Sequence, residues 1–172
     1  MAVTAGVTPA HFMLSDLALQ DFRTFARLSP PLREDADRRA VLAAIGDGTI
    51  DVVGSGHAGR GPEDKRLPFA DAAPGMAGAE TLLAMVLTLV RDRVIGIERA
   101  FDLVARNPAR LLGVDAGELR VGAEADLALV DPAKPWVVDS ARMAASAGNT
   151  PFDHQPAQGR VVGLWKGGKA VG

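Results

Sequence analysis

Apolar positions form short helical stripes over the first two-thirds of the chain and short continuous or alternating runs over the last third. Met1-Ala2 leads straight into the apolar segment Val3-Thr4-Ala5-Gly6-Val7, as if the chain began inside a domain. Ser15-Asp16 followed by Leu17, Leu19 and Phe22 predicts a short helix or turn. Ser29-Pro30-Pro31-Leu32-Arg33 excludes a helix, because proline lacks the donor and restricts the residue before it. A helix is expected from Glu34 to Ile45. Acidic residues fill its first turn, Ala40, Val41, Ala44 and Ile45 recur at helical spacing, and Gly46 is placed to cap it. Thr49 to Gly54 reads as a buried strand. Helix, glycine turn and strand is the rhythm of a parallel αβ fold.

Residues 55–78 are rich in glycine and proline and predict a long irregular loop, a feature that is usually functional or disordered. Helices are expected over Glu80–Arg91 and Ile97–Ala105. A third, short one has Asn107 as cap, Pro108 at its first position and Gly113 as its stop. The stripe Leu82, Met85, Val86 and Leu89 reads as core or interface. After Gly113 the pattern changes. Asp126 to Val130 is an expected strand closed by Asp131-Pro132, and Trp136 to Val138 is another. Arg160–Lys166, Gly167-Gly168 and Lys169–Val171 form an expected hairpin with a two-residue turn. An αβ portion, residues 1–112, is thus expected before a β-rich portion, residues 113–172.

Composition narrows the function classes. At 48% hydrophobic and 23% charged residues the chain has an ordinary globular balance. Its net charge of -2 disfavours a nucleic acid or an anionic membrane as partner. The absence of cysteine excludes disulfides, thiolate zinc sites and thiol nucleophiles, and suits a cytoplasmic protein. The longest apolar run, Leu82 to Val90, is far shorter than the roughly 20 residues that span a bilayer. No secretory leader is legible at the N-terminus.

In parallel αβ barrels the chemistry sits at the C-terminal ends of the strands. The expected strand ends at Ser55-Gly56-His57-Ala58-Gly59-Arg60. This loop resembles that of the dihydroorotases, members of the cyclic amidohydrolases. So do Ser29-Pro30-Pro31-Leu32-Arg33, Asp47-Gly48-Thr49-Ile50-Asp51, Leu67-Pro68-Phe69, Ala73-Pro74-Gly75 and Gly78-Ala79-Glu80-Thr81. Asn107 to Gly113, Gly122 to Leu127 and Asn149-Thr150-Pro151-Phe152 extend the likeness over essentially the whole chain.

The resemblance implies an α/β fold: the C-terminal part of a (βα)8 TIM-type barrel, followed by a small β-rich domain built from both chain ends. It also implies a zinc-dependent enzyme of pyrimidine biosynthesis that closes carbamoyl aspartate reversibly to dihydroorotate. In such a site metal ions activate water and a strand-end carboxylate carries protons.

The family's loop reads Thr-Asp-His-Ala-Pro-His, and this chain departs from it where chemistry is needed. Gly56 stands at the position of the catalytic acid, and Arg60 at that of a substrate-binding histidine. Ser29 replaces a substrate-binding asparagine, and Ala10 replaces the first histidine of a Pro-His-His pattern, leaving Pro9-Ala10-His11. By family position the degenerate substrate site comprises Ser29, Arg60, Pro74 and Gly75, with no catalytic residue.

His57 is a weak metal candidate. A zinc site needs three or four ligands, and His11, His57 and His154 lie in three separate segments, so an ordinary loop histidine is the plainer reading. Arg60 is either an anion holder or a solvated loop arginine. Gly75 and Gly78 shape either a substrate-facing loop or merely a turn. Glu80 reads as a first-turn residue favoured by the helix dipole.

The expectation is therefore a silent dihydroorotase-like chain that needs no cofactor of its own. It would be a homo- or hetero-oligomer and a structural partner of aspartate transcarbamoylase. An active zinc enzyme completed by further segments and an autonomous interaction module are the alternatives.

Overall fold

The computed structural model describes residues 3–145 and 147–171. The segment that begins at Met1-Ala2 is therefore described only from Val3 onward. Strand β1, Gly6–Val7, pairs in parallel with β2, Val52–Val53, with Gly6 opposite Val52 and Val7 opposite Val53. Between them lie helix α1, Pro9–Met13, two 3-10 turns at Asp16–Phe22 and Thr24–Ala26, and helix α2, Asp35–Gly46. The parallel αβ rhythm is thus present, but the expected strand over 49–54 contracts to two paired residues. Asp51 extends the hold: its backbone N–H donates to the Ala5 carbonyl and its carboxylate accepts the Ala5 N–H, both at 2.8 Å.

Helix α2 runs one residue past its expected end. Gly46 is helical and does not cap it; Asp47 follows in right-handed conformation, and Gly48 takes the positive φ of +91°. The Asp47 carboxylate then accepts the Thr49 N–H at 2.9 Å and closes the turn into β2.

Helix α3, Pro62–Lys65, is a single turn inside the expected long loop, and α4 spans Leu82–Arg91. Met85, Val86 and Leu89 are buried, with Leu82 packed at the margin, so the stripe is core. They meet Phe12, Ile45, Val53, Leu103, Val138 and Phe152 in one cluster. Burial of such side chains contributes on the order of 2 kcal/mol each.

Helices α5, Ile97–Phe101, and α6, Asn107–Leu112, are joined without a break by a π-helical stretch, Asp102–Arg106. Asn107 is therefore not a cap. It has helical φ and ψ, and its side-chain amide donates instead to the Asp51 carbonyl at 2.8 Å, beside Arg99, which reaches the Ile50 carbonyl at 2.6 Å. Pro108 explains the π register physically: it offers no N–H, and its ring needs room against the preceding turn. Helix α6 stops at Gly113, as expected, in left-handed conformation.

The last third is a three-stranded antiparallel sheet in the order β3, Leu127–Val137, β4, Pro156–Lys166, and β5, Lys169–Val171. The two strands expected over 126–130 and 136–138 are one. Pairing with β4 continues through Asp131-Pro132 by a register irregularity between Asp131 and Pro135. An irregularity accommodates proline because an unpaired residue requires no donor. The β4–β5 hairpin turns at Gly167-Gly168, both at positive φ, as a two-residue loop demands. The first part of β4 packs on α4, where Arg91 donates to the Gln158 side chain at 3.3 Å.

Candidate functional site

Beyond β2 the chain enters the 55–78 loop, which doubles back beside itself. His57 bridges Met76 in parallel fashion, and the Ala58 N–H donates to the Met76 carbonyl at 2.7 Å. The two legs of the loop, together with the Leu28–Pro30 turn and the start of α1, enclose a pocket of about 200 Å³. Ser29, Gly56, Arg60, Pro74 and Gly75, five positions singled out in the sequence, all line it. So do Thr8 and His11. An apolar cavity of about 390 Å³, lined by Leu19, Leu32 and Phe69 among others, adjoins it and shares Leu28, Ser29 and Pro74.

Gly56 has a φ of +61°, and a Cβ built there would lie 2.9 Å from the Thr8 methyl. The backbone here is shaped for glycine. Gly75 has a φ of +132°, and its missing Cβ would stand 2.6 Å from the Ala58 carbonyl oxygen. That glycine lets the two legs of the loop touch, so its role is loop geometry at the pocket wall.

The histidines are committed to local bonds. The Pro30 carbonyl can only accept, so His11 Nε2, 3.1 Å away, carries a proton, while Nδ1 lies 2.8 Å from the Thr8 hydroxyl. His57 Nδ1 accepts the N–H groups of Gly78 and Ala79 at 3.3 and 3.4 Å, which leaves the ring proton on Nε2. In this arrangement the acceptor nitrogen of each ring faces a protein donor. His154 is exposed and paired with Asp153 at 3.5 Å. Among the described residues no three histidine or carboxylate side chains converge on one point. The donors among the described residues therefore do not by themselves make up a zinc site, and no chemical step is assigned to one.

Arg60 is more constrained than a solvated loop arginine. Its Nε donates to the Pro74 carbonyl at 3.0 Å, and its backbone N–H donates to the Asn149 side chain at 2.9 Å. Nearby, Lys65 is 3% exposed and has no carboxylate within ion-pair distance among the described residues. Its ammonium donates to the carbonyls of Thr24 at 2.9 Å and Arg27 at 3.4 Å. Burial, then the charges of Arg27 and Arg60, push its amine down to about 8, against a smaller opposing pull from Asp64. The pocket's surroundings are thus electropositive.

Glu80 is not a first-turn residue of α4. It precedes the helix, and its carboxylate accepts the Ala145 N–H at 3.2 Å. Sequence reading left three contributors unassigned: His11 as a lining residue, Lys65 and Asn149. The last lay within a quoted motif, but its partners are 89 and 74 residues away, so no local signal exposes it.

Comparison with known proteins places this geometry. Residues 5–171 match the amidohydrolase family. The chain is 39% identical over 160 residues to the dihydroorotase of Geobacter sp. (strain M21) and 40% identical to that of Syntrophus aciditrophicus (strain SB). Each match covers 93% of this chain, and the chain spans 38% of the length of either relative. Among solved structures, the L-hydantoinase (dihydropyrimidinase) from Arthrobacter aurescens superposes with a TM-score of 0.92 at 28% identity. That match covers 98% of this chain and 39% of the other. The dihydropyrimidinase from Brevibacillus agri NCHU1002 gives 0.88 at 25%, with the same coverage. This chain belongs to the amidohydrolase family, with a dihydroorotase-like sequence and an α/β architecture of the TIM-barrel type.

Proposed function

We propose that the chain is the C-terminal part of a dihydroorotase-like protein of pyrimidine biosynthesis that no longer hydrolyses or closes a cyclic amide. The observation that carries this reading is Gly56. At the position where the family places its acid, this chain has a residue that can neither ligate metal nor move a proton, held at a positive φ against Thr8. The commitment of both His11 nitrogens and of His57 supports the same reading. The pocket around Ser29, Arg60, Pro74 and Gly75 persists as a binding pocket, in which Arg60 holds a small carboxylate through charge-assisted hydrogen bonds. Residues 1–112 are the barrel portion, and 113–172 contribute to a small β domain. The protein acts as a structural partner of aspartate transcarbamoylase.

The test is metal analysis of the purified chain together with a carbamoyl aspartate cyclisation assay and a pull-down with aspartate transcarbamoylase. We expect no bound zinc, no turnover and a stable complex. Zinc-dependent turnover by this chain overturns the silent reading, and absence of a complex overturns the partnership. A second reading, an active zinc-dependent dihydroorotase completed by segments outside this chain, is favoured by the 39–40% identity to proteins that carry that name. Turnover gained on adding complementary segments of the protein would select it.

A further inference from the structure

Asn149 is buried, and each end of its side-chain amide is used. Oδ1 accepts the Arg60 backbone N–H at 2.9 Å, and Nδ2 donates to the Gly75 carbonyl at 3.0 Å. Its own backbone carbonyl accepts the Ala77 N–H at 3.0 Å. One residue from the C-terminal third thus ties both legs of the 55–78 loop, one at Arg60 and the other at Gly75 and Ala77. Arg60 crosses between the same legs, since its Nε reaches the Pro74 carbonyl at 3.0 Å. That bond uses one of the five guanidinium N–H donors and leaves the two terminal amino groups for a ligand. Among the described residues no carboxylate lies within ion-pair distance of Arg60.

We propose that Asn149 is the positioning residue of this pocket: by bridging the Arg60 backbone and Gly75 it fixes the loop from which the guanidinium, itself held at Nε by the Pro74 carbonyl, presents its terminal amino groups to a small carboxylate. The inference rests on the pocket's persistence as a carboxylate site and adds the device that orients it. Sequence identity at 149 is then a binding property as well as a packing one. A bidentate contact needs the arginine held in one direction, and a guanidinium free to swing loses that geometry. The surrounding Arg27 and Lys65 reinforce the attraction for an anion.

The experiment uses the full 172-residue chain with N-carbamoyl-L-aspartate as the probe and no added metal. Nuclear magnetic resonance follows the Arg60 Nε–H signal, and amide hydrogen exchange follows Arg60 and Ala77. In the wild type a saturable shift at Arg60 is expected. In Asn149→Ala the probe affinity should fall about tenfold, the scale of one lost buried hydrogen-bonding partner. Exchange at Arg60 should accelerate, while Ala77, bonded to the backbone of residue 149, should stay protected. Asn149→Ser, which keeps a hydroxyl too short to span both legs, should behave alike if the alanine variant folds poorly. Unchanged affinity in both variants overturns the positioning role and leaves the carboxylate site standing. Loss of protection at Arg60 and Ala77 together also overturns it, because it marks undocking of the whole segment. No saturable shift in the wild type overturns the carboxylate site itself, and the positioning role with it.

Discussion

At the scale of single residues, the loop after β2 is shaped by glycines at positive φ. Introducing a carboxylate by Gly56→Asp should give no turnover in a carbamoyl aspartate cyclisation assay, because catalytic groups act as a unit and among the described residues no three potential metal ligands converge. The same substitution puts a side chain against Thr8 at positive φ, so denaturant unfolding should show a loss of about 1 kcal/mol. Lys65 allows a pH prediction. Its amine is lowered from 10.5 to about 8 in the folded chain. Between those values the unfolded chain holds a proton that the folded chain has released, so stability should rise with pH from about 8 towards 10.5. Below pH 8 both states are protonated, and the cost of burying the charge is fully present. Lys65→Met should abolish this slope relative to wild type, measured as denaturation midpoints at pH 7.5, 9 and 10 under the linkage relation. An unchanged slope would mean that the ammonium is better solvated than its burial implies.

Elements differ in how far their causes are local, and that decides which were legible. Helix α2 and the β4–β5 hairpin were readable because acidic first-turn residues and a Gly-Gly turn act within a few positions. The continuous run from α5 through α6 was not. Asn107-Pro108 looks like a helix start, yet Asn107 finds its partner at Asp51, 56 residues back, and the π stretch absorbs the proline. Likewise Asp131-Pro132 looks like a strand end, but the partner strand tolerates the irregularity. At the pocket, the loop motifs held Gly56, Arg60, Pro74 and Gly75 as lining positions, whereas Asn149 and Lys65 act over distances that no local pattern records. Core packing in α4 and the π stretch should be correspondingly unforgiving. Leu89→Ala and Leu103→Ala, both at fully packed positions, should each cost about 3 kcal/mol in chemical denaturation. Leu119→Ala, at 88% exposure, should cost almost nothing.

For the whole molecule, the apolar surface sets behaviour in solution. Leu111, Leu112, Val114, Leu119 and Val121 are exposed in and after α6, and Leu129, Val137, Val161 and Leu164 are exposed on the sheet. Apolar patches of this kind mark interfaces or drive aggregation. The isolated chain should therefore associate, and light scattering should show a mass above that of the monomer. Leu112→Glu combined with Leu119→Lys should lower it. A compact monomer with strongly protected amides at Val52 and Val53 would sink this expectation. The bond from Asn149 to Arg60 also carries a consequence in time. Synthesis delivers residue 60 long before residue 149, and loop closure across 89 residues must await the later segment. The two legs of the pocket loop can meet early through His57 and Met76, but the arginine is locked only when the nascent chain has cleared the ribosome past Asn149. Stalled chains ending before that residue should present the loop to proteases that spare it in the released protein.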